Sequence, residues 1–326
     1  MSSITLVEAI NLALARAMEE DERVVVIGED VGVNGGVFRA TAGLQARFGA
    51  ERVADTPLAE VLIAGMAVGM AAEGLRPVAE IQFAGFAYTT IDQILNHAGR
   101  LRHRTQGRLC CPMVLRTPCG AGIHAPEHHS ESPEAMFAHI PGIRVVSPSS
   151  PARAYGLLLA SIQDPDPVVF LEPSRLYRRF REAVSDDGAP LALDEAFVVR
   201  EGTDLTLVAW GAMVHEALAA ADDLAAEGVF AEVIDLATLK PIDLDTVLGS
   251  VAKTARCVVV SEAARTCSLA SEISANVSEQ GLLSLVAPVE RVTAWDTVTP
   301  LARLEERYRP DAARITRAAR KVLEYQ

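Results

Sequence analysis

Apolar positions along the chain alternate between helical spacing and short uninterrupted runs rich in β-branched residues. Residues 6–18 carry apolar side chains at helical spacing, and residues 24–27 are typical of a buried strand. Because the strand segments are apolar throughout, they predict a sheet that is covered on both faces. Further strands are predicted at 77–83, 113–117, 143–147 and 168–171, with helices at 58–74, 87–103 and 151–164.

The polar, non-periodic segment 181–193 interrupts this alternation, and we place a domain boundary there. A chain of 326 residues is also long for one core. The predicted fold is therefore α/β with parallel or mixed sheets, divided into domains at residues 1–185 and 195–326. The second domain has predicted strands at 205–210, 231–236, 257–261 and 289–294, and helices at 213–227 and 311–325.

Composition narrows the possible classes of function. A formal charge of −13 argues against binding to nucleic acid, which needs a positive surface. No basic and apolar leader begins the chain, and its most apolar run, 61–72, is too short to span a membrane, so a cytoplasmic protein is expected. One basic cluster predicts either a solvated surface or a contact with an acidic partner: Arg175, Arg178, Arg179 and Arg181.

Several familiar motifs are missing. The sequence has no GxxxxGK[ST] phosphate loop, no GxGxxG after a strand and no GxSxG nucleophile motif. The segment GEDVGVNGG, residues 28–36, follows a strand, but its glycine spacing favours a turn over a phosphate loop. The five cysteines form neither CxxC nor a zinc spacing, which predicts reduced and mostly buried thiols.

The predicted helix 58–74 carries Gly65 and Gly69 in its interior. Each glycine there costs about 1 kcal/mol relative to alanine, so the pair needs a reason. Small side chains on one helix face let another backbone approach closely. The helix is therefore predicted to pack tightly, either inside its own domain or at a subunit interface.

The segment DTPLAE, residues 55–60, leads into this helix. Pro57 suits a first helical turn, and the helix dipole favours Glu60 there, which is a sufficient structural explanation for both. A functional alternative is a buried carboxyl with a raised pKa, which could exchange a proton with a ligand's basic nitrogen. This alternative depends on apolar neighbours, which are Leu58, Val61, Leu62 and Ile63.

Three of the seven histidines lie in the Gly- and Pro-rich loop 120–135: His124, His128 and His129. Loops on a rigid α/β scaffold are common places for proton transfer by histidine. Ordinary surface hydrogen bonding is the alternative. A zinc site formed by His124, His128 and Glu127 is a further hypothesis, although its spacing matches no standard zinc pattern.

Aromatic residues follow a predicted strand in the segment EIQFAGFAY, residues 80–88. Strand ends in parallel sheets are places where ligands bind, and an aromatic ring there could stack on a flat heterocycle. We expect Phe83 to pack in the core and Phe86 to be available to a ligand.

Twelve short strings occur in one order over nearly the whole chain, and their order is far more specific than any one of them. The strings are GEDVG (28–32), FRAT (38–41), DTPLAE (55–60), EIQF (80–83), IDQI (91–94), HHSESPEA (128–135), PGIRVVSPSSP (141–151), LYR (176–178), LVAWGAMVHEA (207–217), AEVIDL (231–236), SEA (261–263) and DTVTP (296–300). Together they resemble the β subunits of the first component of 2-oxo acid dehydrogenase complexes, the pyruvate and branched-chain enzymes.

This resemblance implies an N-terminal domain that binds the aminopyrimidine of thiamine diphosphate and a C-terminal transketolase-type domain. The family's α subunit carries a GDG motif and the magnesium ion that hold the diphosphate, and this chain has no GDG. An α2β2 heterotetramer is implied, with a 2-oxo acid as substrate and a lipoyl acyltransferase as a further partner. Interface packing of the helix 58–74 is favoured accordingly.

Residue roles are implied in the same way. Glu60 matches the glutamate that hydrogen-bonds the aminopyrimidine nitrogen and favours the imino tautomer, which deprotonates the thiazolium carbon. Phe86 matches an aromatic position that contacts this ring. His129, rather than His128, matches a histidine that assists acyl transfer to the lipoyl group. Glu131 replaces a glutamine that is frequent in the family.

Some members of this family also bind a structural potassium ion through main-chain and side-chain oxygens. The matching positions are Cys111, Met113, Val114, Ser161, Asp164 and Asp166. Within the family, the string SPEAMFAHIPGI, residues 132–143, favours a branched-chain 2-oxo acid slightly over pyruvate. Acetoin cleavage on the same scaffold and a non-catalytic assembly subunit are the alternatives; a purely structural chain would not need Glu60 and His129.

Overall fold

The computed structural model describes residues 2–325, which form a seven-stranded sheet, a five-stranded sheet and a separate two-stranded pair. The strands are β1 (Ser2–Ile4), β2 (Val24–Gly28), β3 (Val53–Asp55), β4 (Arg76–Glu80), β5 (Val114–Cys119), β6 (Arg144–Val146), β7 (Val168–Pro173), β8 (Glu182–Val184), β9 (Phe197–Arg200), β10 (Leu205–Ala209), β11 (Ala231–Asp235), β12 (Thr238–Lys240), β13 (Cys257–Ala264) and β14 (Glu290–Ala294). The helices are α1 (Leu6–Glu20), α2 (Leu44–Phe48), α3 (Glu60–Ala72), α4 (Ala84–Ala87), α5 (Ile91–Asn96), α6 (Leu101–Arg104), α7 (Glu134–Ala138), α8 (Pro151–Gln163), α9 (Met213–Ala225), α10 (Leu244–Thr254), α11 (Leu269–Gln280), α12 (Ala302–Tyr308) and α13 (Ala312–Leu323).

The larger sheet has the order β12-β6-β7-β5-β4-β2-β3 and is parallel except where β12 pairs with β6. Successive strand residues point to opposite faces, so Val26 packs with α1 and α8 while Ile27 packs with α3. Since both faces are covered, β2, β5 and β7 are buried along their whole length. The prediction of buried parallel strands is confirmed.

The smaller sheet has the order β14-β13-β10-β11-β9, and only β9 runs antiparallel to its neighbour. Helices α9 and α13 pack on one of its faces. The short strand β12 comes from this later part of the chain but pairs with β6 at the edge of the larger sheet. The two halves of the chain are therefore joined by a strand as well as by side chains.

Two predictions about local structure are wrong in detail. The predicted strand 77–83 ends at Glu80, and Phe83 precedes α4 in extended conformation. The predicted helix 87–103 is broken into short α and 3₁₀ turns. Its backbone leaves the helical region at His97, where φ is −120° and ψ is −67°. Near its start, Thr89 and Thr90 donate their hydroxyls to preceding carbonyl oxygens.

The arginine cluster is also only partly a solvated surface. The side chain of Arg175 is 7% exposed and forms an ion pair with Glu216 at 3.1 Å, so this residue joins the two halves of the chain. Arg178, Arg179 and Arg181 are exposed.

Among residues 2–325, no helix is both long and apolar enough to cross a membrane. Three of the five cysteines are buried, and all five are free thiols.

Candidate active site

Acidic residues gather where three neighbouring parallel strands end. Gly28, the last residue of β2, is in register with Asp55 at the end of β3 and with Glu80 at the end of β4. Glu29 follows β2 directly, and Glu60 begins α3 shortly after β3. Ligands of parallel α/β sheets bind outside the carboxyl ends of the strands. We call this region, with Glu29, Glu60 and Glu80, the acidic edge.

Glu60 lies in the first turn of α3, where the helix dipole favours a carboxylate. The apolar enclosure expected from its neighbours is not present in the chain by itself. Leu58 is 80% exposed, Val61 and Leu62 are also exposed, and Ile63 is buried. The expectation was wrong because α3 is apolar on all sides yet turns only one side toward the core. Glu60 is therefore open on its outer side to a ligand or a partner chain.

Glu29 is a buried carboxyl that sequence reasoning missed. It is 7% exposed, and its Oε1 has no hydrogen-bond partner among the described residues. Burial, followed by the negative charges of Glu60 and Asp30, raises the pKa of Glu29. A buried acid with a raised pKa beside a second acid is typical of sites that exchange protons. The available sequence signal was its position in GEDVG, directly after a buried strand.

A buried ion cluster supports the acidic edge from within the sheet. Arg116 donates to Glu172 through Nε at 2.7 Å and Nη2 at 2.8 Å, and through Nη1 to Glu80. Tyr177 donates its hydroxyl to Glu172. Burial raises the pKa of Glu80, and the Arg116 charge opposes this rise. The cluster joins β4, β5 and β7, because Arg116 on β5 bonds to Glu80 on β4 and to Glu172 on β7. Removing one partner would destabilise the fold, since it would leave a buried charge uncompensated.

Phe83, Phe86 and His129 form a packed group after β4. The ring centroids of Phe83 and His129 are 3.9 Å apart, and those of Phe86 and His129 are 5.5 Å apart. Nδ1 of His129 is buried and lacks a hydrogen-bond partner within the described chain. Burial, followed by the neighbouring His128, lowers the pKa of His129. The fold thus brings Phe86 and His129 together, and Phe83 lies half-buried in the same group rather than in the core.

The zinc hypothesis is wrong. The Nδ1 atom of His124 contacts Glu305 at 2.9 Å, whereas that of His128 faces Glu127 at 3.5 Å. No group of histidine, cysteine or acidic side chains within residues 2–325 is arranged to hold a metal ion. His124 lies apart from His128 and His129, whose ring centroids are 4.2 Å apart. We call this segment the histidine loop (residues 120–132).

The positions matched to potassium lie at the other end of the larger sheet. They come together because the start of β5 pairs with the start of β7: Cys111, Met113, Val114, Ser161, Asp164 and Asp166. Their polar side chains already have protein partners. Ser161 donates its hydroxyl to the carbonyl oxygen of Leu157 at 2.7 Å.

The two acidic members of this set are paired with arginines. Asp164 forms an ion pair with Arg144 at 2.8 Å, and Asp166 forms one with Arg102 at 2.7 Å. Arg76 also approaches the carbonyl oxygen of Asp164, at 3.4 Å. Protein cations therefore neutralise this region, and the side chains do not fit a potassium cage. Binding there would have to use main-chain oxygens.

The acidic edge does fit the aminopyrimidine part of thiamine diphosphate. The unpartnered, buried Oε1 of Glu29 and the accessible carboxylate of Glu60 provide acids for a basic heterocycle. Phe86 is half-buried, so one part of its ring is available to a flat ligand. The sequence lacks the GDG motif that the family resemblance associates with the diphosphate.

Comparison with known proteins places this geometry in a family. The description "Transketolase, pyrimidine binding domain" matches residues 2–179, and "Transketolase, C-terminal domain" matches residues 194–315. A protein of Bacillus subtilis (strain 168) named pyruvate dehydrogenase E1 component subunit beta is 49% identical over 100% of both chains. One of the same name from Acholeplasma laidlawii is 50% identical over 99% of this chain and 98% of its own.

A solved structure described as "Split gene transketolase, inactive beta4 tetramer" superposes with a TM-score of 0.82 at 26% identity, covering 99% of both chains. The N-terminal match includes the acidic edge, the aromatic group and the histidine loop. The C-terminal match includes the smaller sheet. The chain therefore belongs to the transketolase-like family of β subunits of the thiamine-diphosphate-dependent first component of 2-oxo acid dehydrogenase complexes.

Proposed function

We propose that this chain is the β subunit of an enzyme that oxidatively decarboxylates a 2-oxo acid and transfers the acyl group to a lipoyl carrier. The observation that carries this proposal is the closeness of Glu60 to the buried carboxyl of Glu29, whose Oε1 has no hydrogen-bond partner within the described chain, at the end of parallel strands. Thiamine diphosphate, when bound, supplies the electron sink for loss of carbon dioxide. The chain's own residues supply ring binding and proton transfer.

Glu60 would act on the aminopyrimidine. Its carboxylic proton can be shared with a basic ring nitrogen, which amidic side chains cannot do. Glu29 has a raised pKa, so it carries a proton more readily than an ordinary glutamate beside Glu60. Phe86 would orient the ring by packing against its face. These roles require only that the aminopyrimidine ring reaches Glu60 on the outer side of α3.

His129 would serve the second half of the reaction. Opening of the lipoyl disulfide leaves a sulfur that must be protonated, and an imidazole is a suitable donor. Because burial and His128 lower the pKa of His129, a smaller fraction is charged at neutral pH than for an ordinary histidine. Phe83 and Phe86 pack against the ring and restrict its orientation.

The proposed partner is an α subunit that completes the cofactor site. Val61 and Leu62 on α3, and Leu58 just before it, are exposed beside Glu60 and form a surface that a second chain would cover. We propose that the α chain binds the diphosphate and the magnesium ion, which the lack of a GDG motif in this chain supports. We propose an α2β2 assembly, served by a lipoyl acyltransferase.

Pyruvate is the substrate that the relatives' names favour. The branched-chain preference drawn from residues 132–143 stays a prediction, and acetoin cleavage is a further alternative. Competition between pyruvate and branched-chain 2-oxo acids, compared by kcat/KM in the reconstituted enzyme, decides which substrate is preferred.

We further propose the domain limits 1–185 and 195–326, a cytoplasmic location and a potassium ion bound by main-chain oxygens. A thermal shift specific to potassium over sodium tests that ion.

Co-expression with a GDG-bearing α chain from the same source tests the function. The β chain alone should show no 2-oxo acid decarboxylation, whereas the pair should reduce an artificial electron acceptor and sediment as a heterotetramer. Steady thiamine-dependent turnover by the purified β chain would contradict the two-subunit arrangement. An inactive heterotetramer that still binds the acyltransferase would favour the assembly-subunit alternative.

A further inference from the structure

The histidine loop has three residues with positive φ, and one of them is not glycine. Gly120 and Gly122 have φ values of +80° and +110°, which glycine adopts without strain. His124 has a φ of +59°, in the left-handed region that side chains other than glycine seldom adopt. Such a conformation persists only where surrounding contacts hold it. These contacts come from the C-terminal half of the chain.

Glu305 on α12 provides most of them. Its side chain is 1% exposed and pairs with Nδ1 of His124 at 2.9 Å. The same carboxylate accepts the backbone N–H groups of Gly122 and, at 3.2 Å, of His124. Glu262, at β13, accepts the N–H of Ala121 at 2.7 Å. The amides of Ala121, Gly122 and His124 therefore donate to buried carboxylates of the other half of the chain.

The far end of the loop is held by the segment that carries Phe86. A Cβ atom at Gly85 would overlap the carbonyl oxygen of His128, so the loop backbone lies directly on α4. Tyr88 donates its hydroxyl to Glu131 at 3.3 Å, and the N–H of Gly120 donates to the carbonyl oxygen of Glu131 at 2.8 Å. A glutamine at position 131 could accept the same hydrogen bond, so this difference from the family preserves the contact.

We infer that Glu305 is a positioning residue, which holds the histidine loop so that His129 stays packed against Phe83 and Phe86. His129 has no hydrogen bond of its own at Nδ1 to orient it within the described chain. Its placement therefore depends on packing and on the path of the loop backbone. That path is set by Glu305 at one end and by α4 at the other. The consequence for acyl transfer rests on the proposed function; the ordering of the loop does not.

Hydrogen exchange of the full-length chain, followed by mass spectrometry, tests the ordering directly. Glu305→Gln loses the charge and one strong acceptor, so exchange in peptides covering 120–132 should accelerate by about tenfold or more. Peptides from β2 and β7 should be unchanged. Glu306→Gln, at the exposed neighbour on α12, is the matched control. His124→Asn removes only the exposed side of the pair, tolerates a positive φ and should give a smaller acceleration.

The reconstituted heterotetramer then tests the consequence. Glu305→Gln should lower lipoyl-dependent acyl transfer through kcat by about tenfold, and decarboxylation with an artificial acceptor much less. Glu305→Asp should restore part of the loss. Unchanged exchange in a folded Glu305→Gln chain, or faster exchange with equal loss of both activities, overturns the inference. If Glu305→Gln does not fold, His124→Asn replaces it in both experiments, and the inference is judged by loop exchange and by the difference between the two activities. Failure of the wild-type α and β pair to acylate lipoyl groups would refute the proposed function. The hydrogen-exchange result would still test whether Glu305 orders the histidine loop.

Discussion

The acidic edge and the histidine loop differ in how much of each is completed by this one chain. At the acidic edge, Glu60 begins a helix whose outer side exposes Val61 and Leu62. In the histidine loop, successive amides and a histidine nitrogen end on the buried carboxylates of Glu262 and Glu305. The acidic edge is open to a ligand or a partner chain, whereas the histidine loop is held by hydrogen bonds within this chain.

This difference suggests how the two halves of the proposed reaction are divided. An exposed apolar helix side beside a carboxylate is costly in water and is stabilised when another chain covers it. A loop with residues at positive φ is held only where its hydrogen bonds are satisfied within the fold. We expect changes at the acidic edge to act on cofactor chemistry and assembly, and changes in the histidine loop to act on acyl transfer.

The largest effect is expected from Glu60→Gln. Glutamine cannot share an acidic proton with the aminopyrimidine, so decarboxylation should fall at least ~100-fold, roughly 3 kcal/mol in transition-state stabilisation. Exchange of the thiazolium proton in deuterated water, followed by NMR, isolates this step in the heterotetramer. Asp55→Asn, at the end of the preceding strand, provides a comparison for general damage to this edge. Normal proton exchange in Glu60→Gln would leave Glu60 as a helix-start residue only.

His129→Ala should separate the two half-reactions. Lipoyl-dependent acylation should fall by ~100-fold or more, the scale of a lost general acid, while decarboxylation with an artificial acceptor falls much less. His128→Ala is the control and should affect both assays mildly. Equal loss of both activities in His129→Ala would point to cofactor or substrate binding, and damage confined to His128→Ala would move the role to that residue.

The pH profile of wild-type acyl transfer sharpens this assignment. The pKa of His129 lies below its ordinary value of 6.5 because the ring is buried beside His128. If the charged imidazole donates the proton, its population and the single-turnover rate should rise as the pH falls from about 8 to about 6. The rise should be absent in His129→Ala. A rate that is independent of pH over this range would contradict donation by His129.

Leu62→Glu should weaken assembly without much effect on the isolated chain. Leu62 is exposed beside Glu60, so a charge there costs little until a partner covers it. The dissociation constant for the α chain, measured by sedimentation, should rise by about tenfold or more. Leu283→Glu alters a fully exposed leucine in the other half of the chain and serves as the matched control. Equal weakening by both variants would remove the special role of α3.

The smallest effect is expected where the C-terminal half docks. Asp235 is fully buried, accepts the Ser149 hydroxyl at 2.5 Å and lies near Arg153. Burial, opposed by Arg153, raises its pKa from 3.8 to about 6. The folded state holds this proton more tightly than the unfolded chain, so the contribution of Asp235 to stability falls as the pH rises through this interval.

Asp235→Asn should therefore flatten the dependence of unfolding free energy on pH. Between about pH 5 and about pH 8, wild type should lose about 1.4 kcal/mol more than the variant, as judged by urea unfolding. Asp223→Asn, at an exposed position on α9, should follow wild type. Parallel curves for wild type and Asp235→Asn would show that the carboxylate is already charged at the lower pH.

Much of this architecture could be predicted from local patterns. Segments such as 24–27 and 168–171 are apolar throughout and became buried parallel strands, because only a sheet covered on both faces accommodates them. Short or interrupted elements could not be predicted in this way. Strand β12 has three residues and carries no periodic signal, and the predicted helix 87–103 is broken at His97, where the backbone leaves the helical region.

The sequence by itself determined the family strings, the missing GDG motif and the choice of Glu60, Phe86 and His129 as candidates. Only the tertiary structure revealed Glu29 as a buried acid and Glu305 as the partner of the histidine loop. Both depend on contacts between distant segments, since burial and hydrogen bonding shift a pKa or hold a backbone only after the chain has folded. For the same reason the apolar residues around Glu60 did not predict its surroundings correctly. A sequence pattern shows which side chains are apolar, but not whether this chain or a partner covers them.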